Sequence, residues 1–342
     1  MHTQVSRAYV TNAASNTVSM HDIASGGTAL SGVRATAPAG ASPLSIDAHP
    51  SGKFLYAANF LSFDVSAYAV AVDGTLTPIQ APISTGAGFN PSFVSVHPSG
   101  RFAYVATILN NPSPAKVTPY AIDATTGVLS SAGNGAFAGV VPTSLAIVPA
   151  GTFAYVTDSV GDAVWTLAID PTTGSVTNIS PDEPTLAGSG PVSIAVDGSG
   201  RFAYVANLES NNVSSFTINA ATGRLTPNGD AIAAGVRPTS IVIHPSNGFA
   251  YVANAGSNDI SIYKVDAGSG LLSPGGKAVP AGTIPRSITL DSSGEFAFVV
   301  NSMSNDISVY AIDAATGSLA PVGERVPTGE LPTAMAIVTR SP

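Results

Sequence analysis

The sequence predicts an all-β protein, a seven-bladed β-propeller with four antiparallel strands in each blade, on three observations. First, one unit recurs. Pro191–Arg237 reads PVSIAVDGSGRFAYVANLESNNVSSFTINAATGRLTPNGDAIAAGVR, and the residues from Pro238 to Ile284 repeat it as PTSIVIHPSNGFAYVANAGSNDISIYKVDAGSGLLSPGGKAVPAGTI. Aligned on the leading proline, units begin at Pro43, Pro91, Pro142, Pro191, Pro238, Pro285 and Pro332, with spacings of 48, 51, 49, 47, 47 and 47 residues. A fixed period of this length marks a repeat architecture.

Second, each unit carries four short runs with strand character. In the Pro191 unit these are Val192–Val196, Phe202–Asn207, Val213–Ile218 and a weaker one near Arg224–Ala231. They are rich in β-branched and aromatic residues and bounded by turn formers. Asp197-Gly-Ser-Gly200 predicts the first hairpin, and Asn219-Ala-Ala-Thr-Gly223 the third, with glycine where φ must be positive. No segment sustains helical spacing of apolar residues.

Third, the two ends complete one another. Residues 1–42 hold a second, third and fourth strand (Arg7–Asn12, Thr17–Ile23, Ala29–Ala35) without a first, and Pro332–Val338 is a first strand with nothing after it. Blade 1 is therefore expected from residues 1–42 plus 332–340, and the C-terminal inner strand closes the ring. Closure removes the exposed strand edge of an open array. The period leaves no linker, so residues 1–342 are expected to form a single domain.

Composition narrows the partners. Charged residues are 10% of the chain and the net charge is −8, from 13 basic and 21 acidic residues. An acidic, lysine-poor surface argues against nucleic acid as a partner. No apolar run approaches the ~20 residues that span a bilayer, so no membrane insertion is expected. There is no cysteine, hence no disulfide and no thiolate chemistry. The N-terminus MHTQVSRAYVTN has no apolar core of a leader peptide, which leaves the compartment open between the cytoplasm and export with a leader removed. A monomer is expected.

The repeated residues resemble a known family. Tyr9-Val-Thr-Asn12, the related strand ends Tyr204–Asn207, Tyr251–Asn254 and Phe298–Asn301, the unit Val309-Tyr-Ala-Ile-Asp313 with Thr316-Gly317, and the Pro-Ser-Gly turns are similar to YVTN-type propeller repeats. More broadly they resemble the seven-bladed β-propeller lactonases, which include bacterial 6-phosphogluconolactonases and fungal carboxymuconate-lactonizing enzymes. The resemblance covers the whole chain. It implies a small lactone or carboxylate as substrate and no cofactor or metal. It also implies Pro-Arg-His or Pro-His-x-His at inner-strand starts and an Asn-Glu pair after a second strand. Here only Arg286 matches the arginine, Ser287 stands at the histidine, and Asn207-Leu-Glu209 approximates the pair with the carboxylate displaced by one residue.

Function on a shared fold is read from the site, and in a propeller the site is expected where loops converge at the channel mouth. Residues common to all blades build them; residues that break the repeat are the candidates. Around blades 2 to 4 these are Phe60, Phe63, Phe89, Phe93, Ile108, Leu109 and Trp165, expected as an apolar wall. Blade 3 also carries about four extra residues after Thr107. Opposite lie Glu209, Arg237, Arg286 and Glu330. Arginine grips a carboxylate or phosphate bidentately, so a small amphipathic acid or lactone fits. Glu209 and Asp47 are the candidate general bases. The competing reading is that the aromatics fill gaps between blades, the charges are solvated and Asp47 hydrogen-bonds backbone.

His49, His97 and His244 share one repeat position, with Asp197 and Asp291 in other blades. They read as turn formers at the far end from the mouth, not as metal ligands. Asp158 breaks an asparagine pattern and is a candidate ligand. Ser113-Pro-Ala-Lys116 matches Ser-x-x-Lys without companion motifs, and no nucleophile elbow or phosphate-binding glycine loop occurs. Two function classes remain: a lactonase or cycloisomerase acting at the mouth, or a non-catalytic propeller binding a protein, glycan or small ligand.

Overall fold

The computed structural model describes residues 5–24, 30–109, 115–180 and 183–340. Seven antiparallel sheets follow one another around an axis. The inner strands are Pro43–Ala48, Phe89–Val96, Pro142–Ile147, Pro191–Val196, Pro238–Ile243, Pro285–Leu290 and Pro332–Arg340. Each contacts the inner strands before and after it, and the last contacts both the sixth and the first. Pro332–Arg340 pairs with Val5–Asn12 from the other end of the chain, Val5 opposite Arg340 and Thr11 opposite Ala334. The ring closes as expected.

The outer strand departs in detail from expectation. In blades 2 to 7 it is split into two short pieces, both paired to the third strand; in blade 5 these are Leu225–Pro227 and Ile232–Ala233. In blade 1 it is Ala35–Pro38, with Leu30 making a lone bridge to Ile23, instead of the expected Ala29–Ala35. Proline and glycine in these segments remove ladder donors and extended geometry, which an outermost strand tolerates.

The apolar core is divided among the junctions. Seven buried clusters each draw on two neighbouring blades, as where Tyr9, Val18 and Met20 pack on Ile46, Leu55 and Tyr68. Dry packing thus lies between sheets, and the axis is left for other uses.

The recurrent Phe-Ala-Tyr-Val-x-Asn strand has a part for each residue. The tyrosine hydroxyl donates to a glycine carbonyl in the third hairpin of the next blade: Tyr9 to Gly74 at 2.8 Å, Tyr56 to Gly127 at 2.9 Å, Tyr155 to Gly223 at 2.8 Å, Tyr204 to Gly270 at 2.8 Å and Tyr251 to Gly317 at 2.9 Å. The residue two positions earlier packs against the same glycine, Arg7 in blade 1 and phenylalanine in the other four. At Gly223, φ is +70° and a Cβ would run into the Phe153 ring, so only glycine serves both roles. The asparagine is buried and its Nδ2 donates to the third strand, Asn254 to Asp259 Oδ1 at 2.7 Å and to Ser261 Oγ at 2.9 Å. Tyr251→Phe removes one buried bond and should cost about 1 kcal/mol. A urea midpoint unchanged from wild type would show that the latch contributes nothing.

A second device fixes the loops at the mouth. Asn16, Asp162, Asn211, Asn258 and Asn305 have φ between 50° and 57°, in the left-handed region. Their Oδ1 atoms accept the backbone N–H of the residue before the next inner strand, from Ser42, Gly190, Arg237, Ile284 and Leu331.

Candidate functional site

A cavity of about 250 Å3 lies on the axis at the face where inner strands start and second strands end. All seven blades reach it through the first residues of their inner strands: Leu44, Ser92, Thr143, Val192, Thr239, Arg286 and Thr333 follow the leading prolines. Ser144, Ser193, Ser240, Ser287, Phe93 and Ala334 come next, and Phe60, Ile108 and Leu208 enter from the ends of second strands.

Most of the residues after the prolines form a collar. The hydroxyl of Ser92 donates to the Pro142 carbonyl at 2.7 Å, Thr143 to Pro191 at 3.0 Å, Thr239 to Pro285 at 2.7 Å and Thr333 to Pro43 at 2.8 Å. Leu44, Val192 and Arg286 break it. In blade 7 the Pro332 carbonyl is instead served by Ser302 Oγ at 2.5 Å, which frees position 286 for a long cation. Among the described residues Arg286 is the only charged one lining the cavity. Its side chain is exposed to the channel, yet protein surrounds the opening, and this enclosure pulls its pKa below the ordinary value. Among the described residues no carboxylate pairs with it.

Of the residues singled out from the sequence, Phe60, Phe93, Ile108 and Arg286 line the cavity; the others do not. Arg237 is the residue whose N–H is held by Asn211; its φ is +54° and its side chain is exposed. Glu330 is exposed on the corresponding loop of blade 1. Glu209 is exposed beside the opening: it follows Leu208, and a Cβ on Gly190 would lie 2.9 Å from its Cγ. Phe89 and Leu109 pair with each other where the strands of blade 3 are extended.

Trp165 and Asp158 are explained together, and neither faces the cavity. Trp165 stands where other blades have the serine bound by the buried asparagine, and Asp158 stands at that asparagine. The donor and acceptor roles reverse: Trp165 Nε1–H points to Asp158 Oδ2 at 3.4 Å. Asp158 also accepts the Val140 and Val141 N–H groups at 3.0 and 2.9 Å, doing for this loop what the latch residues do elsewhere. Trp165 is buried in the junction of blades 3 and 4, its ring centre 4.8 Å from that of Phe137. It fills a gap between blades and is not part of an apolar wall at the mouth.

Phe63 stands in blade 2 where Asn211 and Asn258 stand in blades 5 and 6, with φ +58° and no side-chain acceptor. The Phe63 carbonyl accepts the Thr85 N–H at 2.8 Å, as the carbonyl of Asn258 accepts that of Ala281 in blade 6, and in addition the Thr85 hydroxyl at 2.9 Å. A bulky residue is strained in this conformation and asparagine tolerates it. Phe63→Asn is expected to stabilise the fold by about 1 kcal/mol; a lowered urea midpoint would contradict this.

Asp47 lies deeper along the inner strand of blade 2. Its Oδ2 accepts from Val96 N of blade 3 at 2.7 Å and its Oδ1 from Ala48 N at 2.8 Å. Burial raises its pKa from 3.8 to about 6, against the lowering effect of both N–H groups. Both oxygens are thus engaged with backbone.

The histidines lie at the opposite face. Nε2 of His49, His97 and His244 meets the carbonyl of Gly100, Gly151 and Gly294 in the following blade at 2.9, 2.9 and 2.8 Å. Nδ1 accepts the N–H of Ser51, Ser99 and Ser246. These rings close turns and junctions. Among the described residues no group of three or more His, Cys, Asp or Glu gathers as metal ligands. Ser113 of the Ser-x-x-Lys match lies outside the described residues. Among the described residues no helix is long and apolar enough to cross a membrane.

Sequence comparison decides the family. The model of the family described as "Lactonase, 7-bladed beta-propeller" matches residues 6–188, 142–237 and 187–336. The chain belongs to this lactonase family of seven-bladed β-propellers. A periplasmic gluconolactonase of Pseudomonas aeruginosa has the same fold at 21% identity, with 99% of this chain and 100% of that one covered and a TM-score of 0.83. A Bacteroides uniformis protein provisionally described as a 6-phosphogluconolactonase superposes with a TM-score of 0.82 at 19% identity, over 98% and 100% of the two chains. Hydrazine synthase of Kuenenia stuttgartiensis also matches, with a TM-score of 0.67, 18% identity and coverage of 90% and 92%. The fold is thus shared by proteins of different names, and function on it is read from the site. No curated protein sequence matches the chain.

The sequence pointed to Arg286, Phe60, Phe93 and Ile108 of this lining but not to Leu44, Val192 or Leu208. The available signal was the residue after each proline, where Leu44, Val192 and Arg286 interrupt a series of Ser and Thr.

Proposed function

We propose that the protein is a lactonase-type hydrolase that takes a small anionic lactone in the axial cavity. The observation that carries this reading is Arg286, a guanidinium with no carboxylate partner among the described residues, lining a cavity to which every blade contributes. Arg286 holds the substrate carboxylate or phosphate with two parallel hydrogen bonds, while Phe60, Phe93 and Ile108 hold its carbon skeleton. Glu209, beside the opening, accepts a proton from water as the water oxygen attacks the lactone carbonyl. The ring C–O bond then breaks, its oxygen takes the proton, and the product is a hydroxy acid.

The test is titration of acid released from a panel of aldonolactones, muconolactones and acyl lactones. Turnover of at least one class well above the background rate, reduced in Glu209→Gln, is the expected result. An inert wild-type protein across the panel would discard hydrolysis. One observation favours a second reading, a ligand-binding propeller without turnover: among the described residues the cavity lining contains no carboxylate and no histidine. In that case anions bind at Arg286 and none is consumed.

A further inference from the structure

We propose that Phe93 sets the chemical class of ligand, selecting a small carboxylate with a flat apolar body over a polyhydroxylated one. The inference rests on Arg286 as the anion anchor and concerns what lies opposite it.

Phe93 occupies the second position after the leading proline, where blades 2, 4, 5, 6 and 7 have Ser45, Ser144, Ser193, Ser240 and Ser287. Four of those serines accept the N–H of the next inner strand: Ser45 from Val94 at 3.3 Å, Ser144 from Ile194 at 3.3 Å, Ser193 from Ile241 at 3.1 Å and Ser240 from Ile288 at 3.2 Å. In blade 3 the hydroxyl is replaced by a ring that lines the cavity and packs against the buried cluster between blades 3 and 4. The ring is therefore held in place by the core behind it.

Blade 3 is three places from blade 7 in a ring of seven, so Phe93 and Ile108 stand across the axis from Arg286. Phe60 of blade 2 is beside them. The cavity has a cationic pole and an apolar pole. Of the hydroxyls between the poles, Ser92, Thr143, Thr239 and Thr333 already donate to proline carbonyls and Ser144, Ser193 and Ser240 accept inner-strand N–H groups, while Phe60, Phe93 and Ile108 offer no side-chain polar partner. A polyhydroxylated ligand would therefore lose water at the apolar pole without regaining matched partners there, which costs affinity. The entrance agrees, since Val140, Val236, Ile284 and Leu331 are exposed apolar residues on the loops that surround it. About 250 Å3 corresponds to roughly eight waters, which is room for one small ring and a carboxylate.

Binding of benzoate and of gluconate to the full chain by calorimetry tests this. Both are monocarboxylates, and they differ in the body. Wild type is expected to bind benzoate about tenfold more tightly or better, the scale set by one apolar group in a fitted pocket. Phe93→Ser should weaken benzoate about tenfold and leave gluconate unchanged or tighter. Phe93→Leu keeps apolar bulk against the core and guards against misfolding of the serine variant; it should lower the benzoate-to-gluconate preference. Equal effects on both ligands, an unchanged preference in the leucine variant, or tighter gluconate binding by wild type would overturn the proposal. Arg286→Gln should weaken both ligands alike. If it weakens neither while Phe93→Ser still acts on benzoate alone, the anchor is wrong and the apolar pole stands. If wild type binds neither at millimolar concentration, both fall.

Discussion

Arg286→Gln should lower kcat/KM for the best lactone substrate about 100-fold. The reasoning is electrostatic. A charge-assisted bidentate contact contributes roughly 1.5–3 kcal/mol, the upper end of which is about two powers of ten. The contact is made in a walled opening, where burial already pulls the guanidinium pKa down, so its charge is poorly compensated until an anion arrives. Glutamine keeps two hydrogen-bonding groups and most of the length but no charge. Lysine keeps the charge and loses the planar fork, so Arg286→Lys should fall between wild type and glutamine. Added guanidinium should restore part of the loss in Arg286→Gln. The fold should be unaffected, because no ion pair of Arg286 with a described carboxylate is broken. Unchanged kcat/KM in Arg286→Gln would remove the anchor from the account.

Asp47 should contribute a fall in stability as pH rises from about 4 to about 6, against the rise that His21 contributes as pH climbs toward 6.5, burial holding its ring neutral in the folded chain. The Asp47 carboxyl has a folded-state pKa of about 6 against 3.8 in the ordinary state. Between those values the folded chain holds a proton that the unfolded chain has lost, so unfolding becomes easier with each rise in pH. The contribution is fully present below the unfolded pKa and is lost as pH climbs through the folded one. The shift of about two units corresponds to at most about 3 kcal/mol, less where channel water screens the carboxylate. Asp47→Asn cannot titrate, so its urea midpoint should lack this component between pH 4 and 6.5, although it turns an amide N–H toward the Val96 or Ala48 donor and is less stable at low pH. A variant with the same pH slope as wild type would place the titrating group elsewhere.

How far each feature could be read in advance follows from the repeat. Blade number and closure were legible because a leading proline, a Phe-x-Tyr strand and a glycine hairpin recur in register, and each has a contact that demands it: Tyr251 needs Gly317, and Gly317 must be glycine. The outer strand was less legible because it is short, split and tolerant of proline. For the site, removing what the blades share found Arg286 and Phe93. It also picked out Trp165, which with Asp158 forms a compensated pair inside a junction. Two departures that cancel each other look the same in sequence as two that converge on a ligand. Arg237 shows a different limit: spacing placed it on the right loop, but the left-handed backbone that sends its side chain to solvent is set by Asn211 from another turn. Leu44 and Val192 escaped notice because an apolar residue in a strand draws no attention until the hydroxyl collar it interrupts is seen.

The most direct measurement is a crystal structure of the protein soaked with 4-bromobenzoate, whose bromine marks one end of the ligand by anomalous scattering. The account predicts a carboxylate paired with Arg286 on the axis and the bromine toward Phe93 and Ile108. A ligand bound only at the outer edges of the blades, or an axial ligand with its carboxylate away from Arg286, would contradict it.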